Sequence, residues 1–306
     1  MKIAIVGSGA WGSTLAGLVQ ENGHEVVMWS RRSGRSLDET IAESDLLISA
    51  VSMKGVRSVI EQLSIAVPMI VTATKGLDAE SGSETDLPLL PSQVWQAAFP
   101  DSSIAVLSGP NLSKEIQQGL PAASVVAHLD QAVADRVQSV FSSTRFRVYT
   151  NADPLGVELG GALKNVIAIA VGACEGLQLG TNAKAALVTR GLAEMIRLGT
   201  HWGAKPETFY GLSGLGDLLA TCSSSLSRNH QVGDGLARGK SLAEVLATLE
   251  GTAEGINTTQ VLVKLAQAQG ISMPISTQVD RLLRGEITPR SAVEELMMRD
   301  RRSEGV

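Results

Sequence analysis

Cysteine is scarce in this sequence. Cys174 and Cys222, the only two among 306 residues, are too few and too far apart for a disulfide framework or a CxxC metal site. The four histidines are scattered without HxxxH or HxH spacing, which removes the usual frame of a zinc centre. Basic charge is also in deficit. Lys plus Arg total 26 against 31 Asp plus Glu, a net charge of −5 with a pI near 5.5. Such a surface does not suit a general nucleic-acid or anionic-membrane binder, although local basic pockets for small anions remain open. Charged residues make up 19% and hydrophobic residues 44%, with a mean hydropathy of +0.13, too apolar for a disordered chain. The 31 glycines lack the G-X-Y period of collagen. Inside the helical patterns no uncharged run reaches a membrane span: Asn165 to Cys174 covers about half of one and is closed by Lys164 and Glu175. At the N-terminus Lys2 precedes four apolar residues and a glycine, which is no signal-peptide pattern. These absences predict a soluble, cytoplasmic protein without a metal centre.

The length, at roughly 150 residues per domain, predicts two domains. In the first half, short apolar runs at Ile3–Val6, Glu25–Trp29, Leu46–Val51, Met69–Thr74, Ser103–Ser108 and Ala122–His128 alternate with helical stretches at Trp11–Asn22, Val56–Leu63 and Gln131–Ser142. Several runs are apolar without alternation, as expected of strands buried on both faces. From Pro154 onward the pattern is helical: Leu155–Leu177, Ala183–Gly199, Leu242–Leu249, Thr258–Gln269, Ser276–Leu283 and Ser291–Met298. The expected architecture is an α/β Rossmann-like domain over residues 1–150, doubly wound on a mostly parallel sheet, and an all-helical substrate domain over residues 151–306.

Gly7-Ser8-Gly9-Ala10-Trp11-Gly12 follows the first strand and opens a helix ending at Asn22-Gly23, where glycine suits a C-cap. In this βαβ setting GxGxxG is a dinucleotide fingerprint. Gly7 allows the tight turn, Gly9 the approach of backbone N–H groups to a pyrophosphate, and Gly12 close helix–strand packing. Glycines that serve packing alone are the rival reading. An NAD site places an acid at the end of the second strand, but this chain has Trp29-Ser30-Arg31-Arg32. Arg31 and Arg32 suit a 2′-phosphate, so NADP(H) is the preferred cofactor and NAD(H) a possible one; a solvated basic loop is the alternative.

Lys75, in Ala73-Thr74-Lys75-Gly76-Leu77, ends a strand and faces the side where open α/β sheets bind ligands. Ser108-Gly109-Pro110 ends the next strand, and a helix start at Ser113 would add backbone donors beside it. Lys164 lies in Leu159-Gly160-Gly161-Ala162-Leu163-Lys164-Asn165, one charge in an apolar helical pattern. Its helix neighbours at i±3 and i±4 are Gly160, Gly161, Ile167 and Ala168, which offer no carboxylate and leave space beside the ammonium. A desolvated lysine has a lowered pKa suited to proton transfer; a snorkelling lysine with its head in water is the bland alternative. Gly211 to Gly216 reads as a glycine loop leading to Asp217, followed by Thr221 and by Ser227-Arg228-Asn229, whose donors suit a phosphate or carboxylate. Ordinary loop and capping roles remain open for these.

With Glu158, Thr189-Arg190-Gly191 and Glu250-Gly251, these segments resemble, in order and spacing over nearly the whole chain, the bacterial type of NAD(P)-dependent glycerol-3-phosphate dehydrogenase. The resemblance implies reversible reduction of dihydroxyacetone phosphate to sn-glycerol 3-phosphate, the glycerol backbone of phospholipids. It makes Lys164 the acid/base on the C2 oxygen, with Lys75 and Asp217 as orienting neighbours. Gly109, Asn165, Thr221, Ser227, Arg228 and Asn229 fall to the substrate, and Ala10, Trp11, Arg31, Lys75, Ser113, Arg228 and Glu254 to the cofactor. A homodimer is implied too. One departure stands out: only 16 residues separate Trp29 from Leu46, where the family has a further helix and strand, which implies a trimmed adenosine side. Two rival functions remain: a reductase of another small keto acid on the same two-domain plan, and a non-catalytic NADP(H)-binding regulator.

Overall fold

The computed structural model describes residues 1–81, 87 and 89–299. The chain forms two compact units, one of Met1–Asp78 with Leu89–Glu158, the other of Ala79–Pro88 with Leu159–Val306.

The first unit is built on a seven-stranded sheet: β1 (Lys2–Val6), β2 (Glu25–Trp29), β3 (Leu46–Ser49), β4 (Met69–Thr72), β5 (Ser103–Ser108), β6 (Ala122–Ala127) and β7 (Phe146–Asn151), in the order β2-β1-β3-β4-β5-β6-β7. Between the strands run α1 (Ala10–Glu21), α2 (Leu37–Ile41), α3 (Met53–Ile60), α4 (Pro91–Ala98), α5 (Ser113–Gln117) and α6 (Gln131–Phe141). Successive strand residues feed opposite faces, because side chains alternate along a strand. Ile3, Ile5, Leu46, Ile48 and Val71 pack with Leu15, Val19, Val137 and Phe141 on one side. Ala4, Val6, Leu47 and Ile70 pack with Ile41, Val56 and Trp95 on the other. Both faces are covered, which is why these strands read as unbroken apolar runs.

The sheet is mostly parallel, as expected, with β6 antiparallel to β5 and β7 parallel to β6. Strand β7 itself had no predicted counterpart: it is an edge strand with Phe146 and Val148 buried and Arg147 and Tyr149 exposed, too short an alternation to stand out. The short connection between β2 and β3 carries only the five-residue α2, and β2 is the other sheet edge.

The second unit is helical. Its central element, α7 (Pro154–Gly176), begins in the first unit and continues from Leu159; Asp153 Oδ1 accepts from the Gly156 amide at 3.0 Å and caps its start. Then follow α8 (Gly180–His201), α9 (Pro206–Phe209), a π-helical turn at Leu212–Gly216, α10 (Asp217–Ser223), α11 (Arg228–Ala237), α12 (Leu242–Thr248), α13 (Glu254–Ala268), α14 (Pro274–Leu283) and α15 (Pro289–Met297). Helix α7 is long and apolar enough to cross a membrane, yet 94% of its apolar window is buried within the fold. It is a core helix. Its glycines bring neighbours close: a Cβ on Gly172 would fall 2.0 Å from the His230 carbonyl oxygen, and one on Gly233 of α11 would fall 1.9 Å from that of Ile169. Gly191 of α8 likewise leaves room for Ile167, which gives Thr189-Arg190-Gly191 a packing reason.

Candidate active site

In the first unit the glycine turn joins β1 to α1. A Cβ on Gly7 (φ +114°) would lie 2.6 Å from the Ala50 carbonyl oxygen, and one on Gly12 only 1.8 Å from that of Gly7. Packing therefore explains these two glycines. It does not explain Gly9, whose Cβ would meet nothing within 4 Å. Gly9 is the N-cap of α1, without a side-chain cap and without an acid in the first turn. The first N–H groups of a 12-residue helix thus face an open side, the setting in which a pyrophosphate is bound. A dinucleotide fits these residues. Ala10 opens α1 and is exposed, and Trp11 is half-buried.

Other predicted residues of this unit gather at the same ends of the strands. The Gly7 amide donates to the Trp29 carbonyl at 2.9 Å, tying the turn to the segment that leads into Arg31 and Arg32, both exposed. Lys75, beyond β4, donates from Nζ to the Gly109 carbonyl at 3.3 Å, so these two residues come together. Gly109 (φ +146°) passes β6 so closely that a Cβ would stand 3.0 Å from the Ser124 Cα. Ser113 opens α5, and Gln117 of the same helix donates to Thr14 Oγ1 at 2.9 Å and to the Ala10 carbonyl at 3.4 Å.

In the second unit Lys164 is buried. The snorkelling alternative is excluded, and the carboxylate that its own helix does not offer comes from α10. Lys164 Nζ donates to Asp217 Oδ1 at 2.5 Å and to Thr221 Oγ1 at 2.5 Å, and Thr221 Oγ1 donates to Asp217 Oδ1 at 3.2 Å. The three side chains close a ring. Neighbours on Lys164's own helix could not disclose a partner on α10, 53 positions away. The expected space beside the ammonium is also filled. A Cβ on Gly160, one turn before Lys164, would lie 2.8 Å from the Ser213 carbonyl oxygen, so this glycine admits the π-helical turn that delivers Asp217.

That turn corrects the predicted glycine loop. Gly214 lets the chain pass Phe209, whose carbonyl oxygen would sit 2.0 Å from an added Cβ. These glycines serve helical packing, and Asp217 and Thr221 lie one turn apart on α10. Beside them, burial pushes the Cys222 thiol to about 12, leaving it protonated and poorly nucleophilic at neutral pH.

The Ser-Arg-Asn segment starts α11. Ser227 Oγ accepts from the His230 amide at 3.2 Å, which makes Ser227 an N-cap. Asn229 Nδ2 donates to Asn165 Oδ1 at 2.9 Å, and its Oδ1 accepts from the Gly255 amide at 3.0 Å. Both asparagines are buried, and Gly255 follows Glu254, the half-buried first residue of α13. Arg228 is exposed and makes no salt bridge among the described residues. A Cβ on Gly251 (φ +92°) would fall 2.7 Å from Arg228 Nη1, so the guanidinium lies across Gly251.

Sequence reasoning missed two clusters. On α7 and α11, His230 Nε2 meets Glu175 Oε2 at 2.7 Å, while Glu175 Oε1 accepts from Lys184 Nζ. Those hydrogen bonds, led by Lys184, hold the Glu175 carboxyl below its ordinary range. In the first unit buried Glu158 accepts from the Ser92 amide at 2.9 Å and from Ser92 Oγ at 2.5 Å; burial raises its carboxyl to about 7 despite both bonds. A buried acid in an apolar run was the available signal for Glu158. Among the described residues no three His, Cys, Asp or Glu side chains group so as to hold a metal ion.

A doubly wound sheet opened by a glycine turn, with an all-helical unit carrying a buried lysine, defines a dinucleotide-dependent class of protein. Two family models cover the chain. The NAD-dependent glycerol-3-phosphate dehydrogenase N-terminus matches residues 2–38 and 34–134, and the C-terminus of the same family matches residues 153–294. Glycerol-3-phosphate dehydrogenase [NAD(P)+] of Trichormus variabilis is 61% identical over 302 residues, covering 97% of this chain and 96% of that protein. The protein of the same name from Synechocystis sp. is 58% identical over 307 residues, covering 99% and 95%. Among solved structures, glycerol-3-phosphate dehydrogenase from Coxiella burnetii superposes with a TM-score of 0.88 at 33% identity, covering 97% of this chain and 99% of that one. The chain belongs to the NAD-dependent glycerol-3-phosphate dehydrogenase family.

Proposed function

We propose that this protein is an oxidoreductase that reversibly reduces dihydroxyacetone phosphate to sn-glycerol 3-phosphate with NADPH as preferred and NADH as possible cofactor. The observation that carries this reading is the buried ring of Lys164, Asp217 and Thr221 in a chain of this family. When bound, the nicotinamide supplies the hydride. As negative charge develops on the C2 oxygen, the Lys164 ammonium stabilises it and gives it a proton. Asp217 and Thr221 hold the Nζ in place, and low water access strengthens the interaction. Lys164 regains its proton from solvent.

Arg228, with its exposed guanidinium, binds the phosphate and also reaches the cofactor. Asn165 and Asn229 shape the pocket around it through their mutual bond, with Ser227 as cap of the same turn. Lys75 and Gly109 orient the substrate from the ends of β4 and β5, and binding energy from the phosphate is used to align the carbonyl. Gly7, Gly9, Ala10, Trp11, Gly12, Ser113 and Glu254 contact the cofactor. Arg31 and Arg32 pair with its 2′-phosphate, which a terminal acid would repel. The product supplies the phospholipid glycerol backbone. The same reading takes the enzyme as cytoplasmic, with both thiols free and buried, and as a homodimer.

The test is NADPH oxidation by purified protein, followed by loss of absorbance at 340 nm. Dihydroxyacetone phosphate should support it, and small keto acids lacking phosphate should not. Turnover confined to a keto acid would establish the rival reductase. Tight NADPH binding without turnover of any triose phosphate would establish the regulator.

A further inference from the structure

We propose that His230 and Glu175 are positioning residues for substrate binding: their pairing fixes the turn of α11 that carries Arg228. This rests on the reading of Arg228 as the phosphate-binding cation. Arg228 itself is exposed, so its own side chain does little to fix its backbone. The residues around it do. Asn229 is bonded to Asn165 of α7 at 2.9 Å, and His230 to Glu175 of the same helix at 2.7 Å. At 1.5 Å of rise per residue, Asn165 and Glu175 stand about 15 Å apart along α7. Glycine packing at Gly172 and Gly233 brings the two helices close, and these two polar contacts, so far apart along α7, set the orientation of the first turn of α11.

The chemistry of the second contact suits this work. Glu175 is held as a carboxylate by Lys184 of α8, so the facing His230 Nε2 carries the proton and makes a charge-assisted bond, stronger than a neutral one. Gly172 completes the fit by letting the His230 carbonyl approach α7. Ser227 Oγ caps the His230 amide, so the three residues flanking Arg228 are each held through one of their own groups.

The experiment compares steady-state kinetics in dihydroxyacetone phosphate, at saturating NADPH, for the full-length protein and five variants: His230→Ala, His230→Gln, Glu175→Gln, Arg228→Ala and the double variant His230→Ala/Arg228→Ala, each with a thermal melt. Arg228→Ala should raise KM roughly 30- to 150-fold, as loss of a charge-assisted anion contact does. His230→Ala should raise KM roughly 10- to 100-fold, the penalty typical of a misplaced binding group, while kcat stays within about threefold. Glu175→Gln should move KM the same way but less, and His230→Gln, whose Nε2 still donates, should recover most of it. In the Arg228→Ala background, His230→Ala should add no further rise. A KM rise that persists there, or a loss confined to kcat and melting temperature, overturns the positioning role and leaves a structural one. An unchanged KM in Arg228→Ala overturns the underlying reading of Arg228 itself.

Discussion

Replacing Lys164 tests the mechanism and the packing together. On helix propensity alone, Lys164→Ala gains a few tenths of a kcal/mol, and from the sequence the lysine looks like an unpaired charge whose loss is harmless to folding. The structure reverses that expectation. Asp217 lies buried against the ammonium, with side-chain exposures of 3% for Asp217 and 8% for Lys164. Removing one member of a buried ion pair costs about 3–5 kcal/mol, because the other charge stays buried. For a unit of this size each kcal/mol is worth about 2–4 °C, so the melt should fall by roughly 6–20 °C. Turnover should drop by about 10²- to 10⁴-fold from loss of the general acid. Lys164→Met/Asp217→Asn removes both charges and keeps a polar partner for Thr221. It should regain most of the lost stability and none of the activity. Differential scanning fluorimetry beside the 340 nm assay separates the effects. A Lys164→Ala protein that melts within about 2 °C of the parent would refute the buried pair, and one that keeps most of its turnover would refute the catalytic role. A double variant no more stable than the single one would place the damage outside the pair.

Local patterns carried much of the fold. Strand β5 lies at the boundaries predicted for it, since a strand covered on both faces writes a bounded apolar run; edge strand β2 also lies at its predicted boundaries, its apolar residues closed by Glu25 and the polar Ser30. Edge strand β7 wrote only Phe146 and Val148, and stayed hidden. The π-helical turn and helix α11 were illegible for another reason: their glycines meet neighbouring backbones, as Gly214 meets Phe209 and Gly233 meets Ile169, and glycine density reads as loop. The spacing of Asp217 and Thr221 by four did mark a helix face. In the site, Lys164 stood out by contrast with its apolar surroundings, but the partner that fixes it is a long-range contact. His230 and Glu175 carried no local signal at all. Sequence periodicity reports which face of an element is buried, not which other element it meets.

The remaining predictions concern the cofactor, the π-helical turn and a buried acid. Arg31→Ala/Arg32→Ala should raise KM for NADPH about tenfold or more and leave NADH nearly unchanged, because each charge-assisted bond is worth about 1.5–3 kcal/mol; equal losses for both cofactors would sink the assignment. Gly160→Ala should cost about 1–3 kcal/mol through overpacking against Ser213 and lower kcat by shifting Asp217; a stabilised variant of normal kcat would show that the contact does not matter. Glu158 predicts a pH dependence. Its carboxyl is raised from 4.5 to about 7 by burial, so below 4.5 it is protonated folded or unfolded and costs nothing. Between 4.5 and 7 the unfolded chain ionises first and stability falls. Above 7 the buried group must ionise too, and the full penalty, roughly 3 kcal/mol, is in place. Glu158→Gln keeps an acceptor for the Ser92 amide and offers a donor to Ser92 Oγ, but cannot ionise. Melts from pH 5 to pH 8 should therefore show the glutamine variant gaining steadily on the parent as pH rises. Parallel curves across that range would mean that Glu158 is already ionised at pH 5, and that the bonds from Ser92 outweigh its burial.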